Sequence, residues 1–159
     1  MPSQVLRTQG LTQGLTETAW LRFLRAYAAV TRELSSRLES AHGLTLSDFD
    51  VLVQLFHAEG HRLRRVDLAR SVLLTASGIT RLLDGLERAG WVEKERCASD
   101  ARVTYAVLTE AGHAKIAAAR SSHHADVEEL FGAQYSEAEK ATLDELLARL
   151  PLADTACQT

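Results

Sequence analysis

Hydroxyl and guanidinium groups share one face of the helix that the sequence predicts over residues 75–90. This polar face consists of Ser77, Thr80, Arg81, Asp84 and Arg88. Serine and threonine hydroxyls bond either bases or phosphates, and an arginine side chain bonds the O6 and N7 atoms of a guanine together. Ser77, Thr80 and Arg81 are therefore candidate contacts to base edges in a major groove, and Thr75 at the start of the helix is grouped with them.

Basic side chains on either side of this helix are candidate contacts to phosphates. They are Arg64, Arg65, Lys94 and Arg96. The chain has a formal net charge of −3, but residues 57–120 carry eleven Lys or Arg and eight Asp or Glu, whereas residues 121–159 carry two and eight. The positive excess thus surrounds the candidate base contacts, where it would attract a polyanion. Any one of these side chains taken alone is equally compatible with ordinary solvation.

The elements that position these residues follow from hydrophobic spacing. An apolar stripe on the helix repeats at i, i+3, i+4 and i+7, formed by Ile79, Leu82, Leu83 and Leu86. Thr75 is a candidate N-cap, and Gly90 stands where a left-handed residue ends a helix. Residues 65–74 predict a shorter helix before a tight turn, which together make a helix-turn-helix. Residues 91–96 and 102–107 predict the two strands of a hairpin with one buried face.

Long amphipathic helices are predicted on both sides of this unit. Residues 16–41 form the first, Thr45 caps the next, Thr109 opens a third, and Ser136 begins a capping box for the last. These terminal helices carry more apolar surface than one small domain covers, which predicts a dimer interface; a wide core within one chain is the alternative.

The sequence therefore predicts a mostly α-helical protein with a small β-hairpin, a winged helix-turn-helix flanked by N- and C-terminal dimerisation helices. Residues 44–108 form the winged helix-turn-helix, and residues 15–43 and 109–151 the dimerisation region. Residues 1–14 and 152–159 are expected to be disordered tails. No apolar stretch of the 159 residues approaches the roughly 20 needed to span a bilayer, so a cytoplasmic location without membrane contact is expected.

The motifs of the chain resemble those of the multiple-antibiotic-resistance regulator (MarR) family over residues 15–150. The matching stretches are LTLSDFDVL at 44–52, VDLA at 66–69, SGITRLLDGLERAGWV at 77–92, and SDAR at 99–102 followed by VLTEAG at 107–112. The resemblance implies a homodimer whose winged helices bind pseudo-palindromic double-stranded DNA, usually as a repressor released by a small ligand. Family hairpins often carry proline and two adjacent arginines, which are absent from residues 97–102, so fewer wing contacts to phosphates are expected.

The resemblance assigns the hairpin tip a role in DNA binding. It implies that Arg102 enters the minor groove while Asp100 steadies it, with Ser99 beside them. A narrow groove concentrates negative potential, and a carboxylate can hold a guanidinium through two bonds. The alternative is an exposed salt bridge in a hairpin, which contributes little.

The resemblance also places a small-molecule effector in a crevice between the dimerisation helices and the winged helix, and the aromatic residues available there would suit an aromatic acid or a phenol. The candidate lining residues are Trp20, Phe23, Tyr27, Asp50, His57 and Arg120. Aromatic residues at helical spacing are also typical of an ordinary core.

Three other possibilities concern metals, catalysis and protein contacts. His42, His123 and His124 are candidate zinc ligands for a metal-responsive regulator, although adjacent histidines on a helix point about 100° apart. An enzyme is not expected, because the sequence has no glycine-rich phosphate loop and no recognisable nucleophile with a base; no cofactor is expected either. A winged helix that binds only proteins would expose an apolar recognition face, whereas this one is polar.

Overall fold

The computed structural model describes residues 3–72, 76–97, 99–100 and 102–150, with the backbone alone for residues 3–13 and 76–77. The described elements, in chain order, are α1 (Ser3–His42), α2 (Leu46–His57), β1 (Arg62–Arg64), α3 (Arg65–Ser71), α4 (Ala76–Arg88), β2 (Val92–Arg96), β3 (Thr104–Leu108), α5 (Glu110–Leu130) and α6 (Glu137–Leu147). The predicted mostly helical winged helix-turn-helix is confirmed: α3 and α4 are its two helices, and β2 and β3 form the wing.

The sheet has one strand more than the predicted hairpin. Its strands are antiparallel in the order β1-β3-β2, so β1 pairs with β3 along the edge that faces away from β2. In β1 only Leu63, which lies opposite Ala106, is partly buried between two exposed arginines. Three residues with one apolar side chain are too short to show the alternation that predicts a strand.

The core lies where α2, α4, α5 and the sheet meet. Its fully buried members include Leu38, Leu44, Leu52, Leu55, Leu68, Ile79, Leu83, Leu86, Val92 and Ile116. The apolar stripe predicted for α4 is confirmed, since three of its four residues are buried and Leu82 lies partly buried at its edge. This packing fixes the rotation of α4 about its axis and turns the opposite, polar face outward.

Local hydrogen bonds cap the starts and ends of helices where the sequence predicted caps. Thr45 and Asp48 form a reciprocal capping box at the start of α2, and Ser136 and Glu139 form another at α6. Gly90 follows α4 with φ of +77°, and the N–H of Trp91 donates to the carbonyl of Leu86, which closes the helix end. The predicted cap Thr75 lies outside the described residues.

Helix α1 begins much earlier than predicted. It runs from Ser3, so residues 3–14, which were expected to belong to a disordered tail, are helical. Residues 3–14 contain no proline, and their three Gln and two Leu have good helix propensity; two glycines oppose the helix, but extending a formed helix costs little. The second predicted tail, residues 152–159, lies outside the described residues.

Candidate nucleic-acid interface and ligand cavity

Helix α4 presents the predicted base-contacting face to solvent. Arg81 and Arg88 are exposed, and Thr80 is partly buried at the border of this face. Ser77 lies in the first turn of α4, at one of the positions where the structure describes the backbone alone. The elements that hold α4 are α3, which precedes it, and the wing, which follows it.

A cleft of about 270 Å³ separates α4 from the wing and gathers four predicted contact residues. Its polar lining includes Arg65, Thr80, Lys94 and Arg96, and its remaining lining residues are Leu83, Thr104, Tyr105 and Ala106. Arg65 starts α3, whereas Lys94 and Arg96 lie in β2 on the same side of that strand. Residues that are about 30 positions apart in the chain therefore face one concave surface.

A smaller cleft of about 80 Å³ beside it joins the start of α3 to the wing. Arg64, Arg65 and Arg102 all line it, so three arginines from the start of α3 and the wing lie side by side there. Arg64 also forms an ion pair of 2.5 Å with Asp67, whose hydrogen bond raises the pKa of the arginine. The side chain of Arg102 is exposed. This grouping of cations suits a phosphate backbone.

Asp100 acts on the backbone of the wing tip. Its carboxylate accepts a hydrogen bond of 3.0 Å from the N–H of Arg102, and its carbonyl accepts one of 3.0 Å from the N–H of Val103. Among the described residues, no ion pair joins the carboxylate to the Arg102 guanidinium, which differs from the predicted clamp. Asp100 therefore shapes the turn that presents Arg102 and leaves the guanidinium to make other contacts.

Ser99 also lies at this tip, beside a thiol. Its hydroxyl oxygen is 3.1 Å from the sulfur of Cys97. Hydrogen bonds from Ser99 lower the pKa of Cys97, while burial acts in the opposite direction. The two side chains thus bridge the base of the tip.

Lys94 is bound within the protein. Its ammonium contacts the Asp84 carboxylate and lies 2.8 Å from Oε2 of Glu87, both on α4. The Asp84 bond is the first cause of the raised pKa of Lys94, and the Lys94 bond in turn holds the pKa of Asp84 below its usual range. The prediction of a phosphate contact at Lys94 overlooked these partners. The sequence did contain a signal for this contact, since Lys94 follows Asp84 by ten positions, across the turn between α4 and β2.

The predicted effector residues divide between two cavities of this chain. A cavity of about 570 Å³ between α2 and α5 includes His57 and Arg120, and its full lining is Phe49, Val53, Phe56, His57, Ala117, Arg120, Ser121, His123, His124 and Val127. A second, also of about 570 Å³, lies between α1, α5 and α6 and includes Phe23 and Tyr27. Trp20 and Asp50 are exposed and line neither.

The α2–α5 cavity combines aromatic walls with nitrogen-bearing side chains. The Arg120 guanidinium lies 4.8 Å from the ring centre of Phe56, and the His123 ring lies 4.3 Å from that of Phe49. Nδ1 of His123 is buried without a hydrogen-bond partner in the described part of the chain, and burial lowers the pKa of this histidine. Aromatic and aliphatic side chains beside a guanidinium suit a small aromatic acid or phenol.

The three candidate zinc ligands do not form a metal centre within the described residues. His42 shares a hydrogen bond of 2.6 Å with Ser122, whereas His123 and His124 line the α2–α5 cavity. No cluster of three or more His, Cys, Asp or Glu side chains suited to a metal occurs in residues 3–72, 76–97, 99–100 and 102–150. None of the described helices has the length and apolar character needed to cross a membrane.

A helix-turn-helix followed by a wing, with cationic clefts between them, defines a winged-helix protein of the DNA-binding class. A sequence model of the MarR family matches residues 44–104. The HTH-type transcriptional repressor YetL of Bacillus subtilis is 32% identical over 111 residues, which are 70% of this chain and 66% of YetL.

Two solved structures from Streptomyces coelicolor have the same fold. AbsC, a MarR family transcriptional regulator, is 32% identical with a TM-score of 0.78 over 82% of this chain and 88% of its own. Sco3205, a MarR family regulator in complex with DNA, is 24% identical with a TM-score of 0.80 over 87% and 91%. The chain belongs to the MarR family, whose members are transcriptional regulators and not enzymes.

Proposed function

We propose that this chain is a homodimeric repressor that binds a pseudo-palindromic operator in double-stranded DNA. The observation that carries the proposal is the convergence of Arg65, Thr80, Arg96 and Arg102 on the clefts between α3, α4 and the wing. Helix α4 enters the major groove with Ser77, Thr80 and Arg81, while Arg102 reaches the adjacent minor groove. This role requires a cytoplasmic location.

Exposed apolar side chains on the terminal helices support the dimer. On α1 the side chain of Trp20 is 57% exposed and that of Tyr27 is 63% exposed, which is a large area of aromatic surface in contact with solvent. The exposed set on α1 and near the C-terminal helices is Leu15, Trp20, Leu21, Phe23, Leu24, Tyr27, Phe131, Tyr135, Leu146 and Leu150. Within the part of the chain that the structure describes nothing covers this surface, which supports a dimer over a wide intrachain core. A two-fold dimer would space its α4 helices about 34–36 Å apart, one turn of DNA.

The relatives support the DNA partner and the repressor assignment. Sco3205 was solved with DNA, and YetL is named a repressor. The polar face of α4 favours DNA over a role in protein contacts alone, since a protein-binding helix would expose apolar residues there.

The test is binding of the purified chain to the DNA upstream of its own gene in a gel-shift assay. Specific binding that weakens steeply with added salt supports the proposal, because Lys and Arg that neutralise phosphates release counterions. Absence of salt-sensitive binding to any genomic fragment would refute it. A monomeric mass at micromolar concentration would refute the dimer separately.

We further propose that an aromatic acid or a phenol in the α2–α5 cavity releases the DNA. The cavity volume suits a small ligand, and Arg120 and His57 supply the polar anchors. A library of such compounds, screened by thermal unfolding, should contain one that raises the melting point, since a ligand that prefers the folded state stabilises it by mass action. Arg120→Gln should remove that stabilisation, whereas Arg149→Gln, at an exposed position outside the cavity, should not.

A further inference from the structure

Lys94 bridges the wing and the recognition helix. It lies in β2, and its ammonium contacts carboxylates that are one helical turn apart on α4, namely those of Asp84 and Glu87. The lysine side chain is 30% exposed, whereas those of Asp84 and Glu87 are 48% and 45% exposed. The two acidic side chains therefore reach solvent, and the lysine lies between them and the wing.

The position of Asp84 gives this cluster a consequence for DNA binding. Asp84 lies one turn beyond Thr80 and Arg81 on the face of α4 that is proposed to enter the major groove. Phosphates along a groove lie within a Debye length of that face, which is about 10 Å at 0.1 M salt. An unneutralised pair of carboxylates there would repel them.

We propose that Lys94 offsets one of the two negative charges that Asp84 and Glu87 place on α4, and that it does not bind phosphate itself. The inference rests on the proposed DNA-binding function. The lysine carries one positive charge, so it leaves the two carboxylates with a net charge of −1, which the exposed Arg81 and Arg88 of α4 outweigh.

An exposed ion pair contributes little to the free energy of folding, so an effect of Lys94 on DNA binding can be separated experimentally from an effect on stability. Loss of its charge should weaken operator binding while the melting temperature stays nearly constant. Methionine is the suitable replacement, because it keeps most of the aliphatic stem of lysine and removes only the ammonium.

The experiment measures operator affinity by fluorescence anisotropy for four proteins. They are the wild type, Lys94→Met, the double variant Asp84→Asn with Glu87→Gln, and the triple variant that combines all three changes. Lys94→Met should bind about five- to tenfold more weakly, because two carboxylates then face the phosphates unpaired. The triple variant should bind at least as tightly as wild type, since its cluster carries no charge where that of wild type carries a net −1.

The double variant gives a further readout, because it leaves Lys94 without carboxylate partners. Its binding should be tighter than wild type and should depend more steeply on salt, since the freed ammonium can then neutralise a phosphate. Lys94→Arg should bind as wild type does, because a guanidinium can hold both carboxylates.

Failure of the inference is distinct from failure of the proposed function. If the wild type binds its operator but the triple variant binds as weakly as Lys94→Met, Lys94 contacts phosphate directly and the inference is wrong. A melting temperature for Lys94→Met more than about 4 °C below wild type would assign the lysine to folding instead. If the wild type binds no DNA, both proposals fall.

Discussion

Gly112 is the tightest point at which α5 meets the winged helix. A methyl group added there would lie 2.0 Å from the carbonyl oxygen of Trp91 and 2.8 Å from Cδ1 of Leu108. The same carbonyl accepts a hydrogen bond of 3.1 Å from the N–H of Thr109, whose hydroxyl caps α5 by accepting from the N–H of Gly112. Gly112→Ala must therefore move backbone, since no side-chain rotation relieves the contact with Trp91.

The expected loss of stability follows from that contact. A Cβ needs at least 3.0 Å from a carbonyl oxygen, so the start of α5 has to move by about 1 Å. Overpacking of this kind costs about 3 kcal/mol at the upper end of its usual range. For a chain of this size, a loss of about 3 kcal/mol lowers the melting temperature by about 6–12 °C.

The assay is urea unfolding at fixed protein concentration, because a dimer's apparent stability depends on concentration. Gly85→Ala in α4 is the matched control, since a methyl group at Gly85 has no other atom within 4 Å. Alanine exceeds glycine in helix propensity by about 1 kcal/mol, so the control should be stabilised slightly. If Gly112→Ala were as stable as wild type, the close approach of α5 to Trp91 would be contradicted.

Three other substitutions test separate parts of the structure. Arg102→Ala should weaken operator binding about 30-fold, which corresponds to about 2 kcal/mol. The loss should exceed that of Lys94→Ala, because only Arg102 is proposed to enter a groove. Equal, small losses in an anisotropy titration would contradict the role assigned to the wing. Thr45→Ala should lower the free energy of unfolding in urea by about 1 kcal/mol, because the α2 cap is lost. Thr142→Ala, at an exposed position within α6, should be nearly neutral. Similar values for both variants would contradict the cap. His123→Phe should flatten the pH dependence of stability. Burial lowers the folded-state pKa of His123, so the stability that this histidine contributes is present above about pH 6.5 and is lost as the pH falls below that value. An unchanged profile for the variant in thermal unfolding from pH 7 to 5 would contradict this.

The features that the sequence predicted correctly are local ones. Helix caps need only about four residues, so the cap at Thr45 and the capping box of Ser136 with Glu139 could be identified before any fold was considered, and the structure adds that Asp48 completes a box with Thr45. The apolar stripe of α4 was equally visible, because helical spacing depends on nothing outside the helix. Together these features are sufficient to define the order of helices and the polar face of α4.

The features that sequence reasoning missed depend on distances across the fold. Strand β1 exists because β3 provides a partner, and its three residues contain no strand pattern of their own. The partners of Lys94 become visible only when β2 packs beside α4. Likewise, the resemblance suggested one effector crevice for Tyr27 and His57, whereas within this chain the two residues line separate cavities, because α1 and α2 meet α5 in different places.

The most direct test of the central claim is the composition and salt dependence of the complex with operator DNA. Sedimentation of the chain with a short duplex that contains one binding site should give two chains per duplex. The logarithm of the binding constant should fall linearly with the logarithm of the salt concentration, with a slope that reflects several phosphate contacts. One chain per duplex, or binding that does not respond to salt, would contradict a dimer that reads DNA through α4 and the wing.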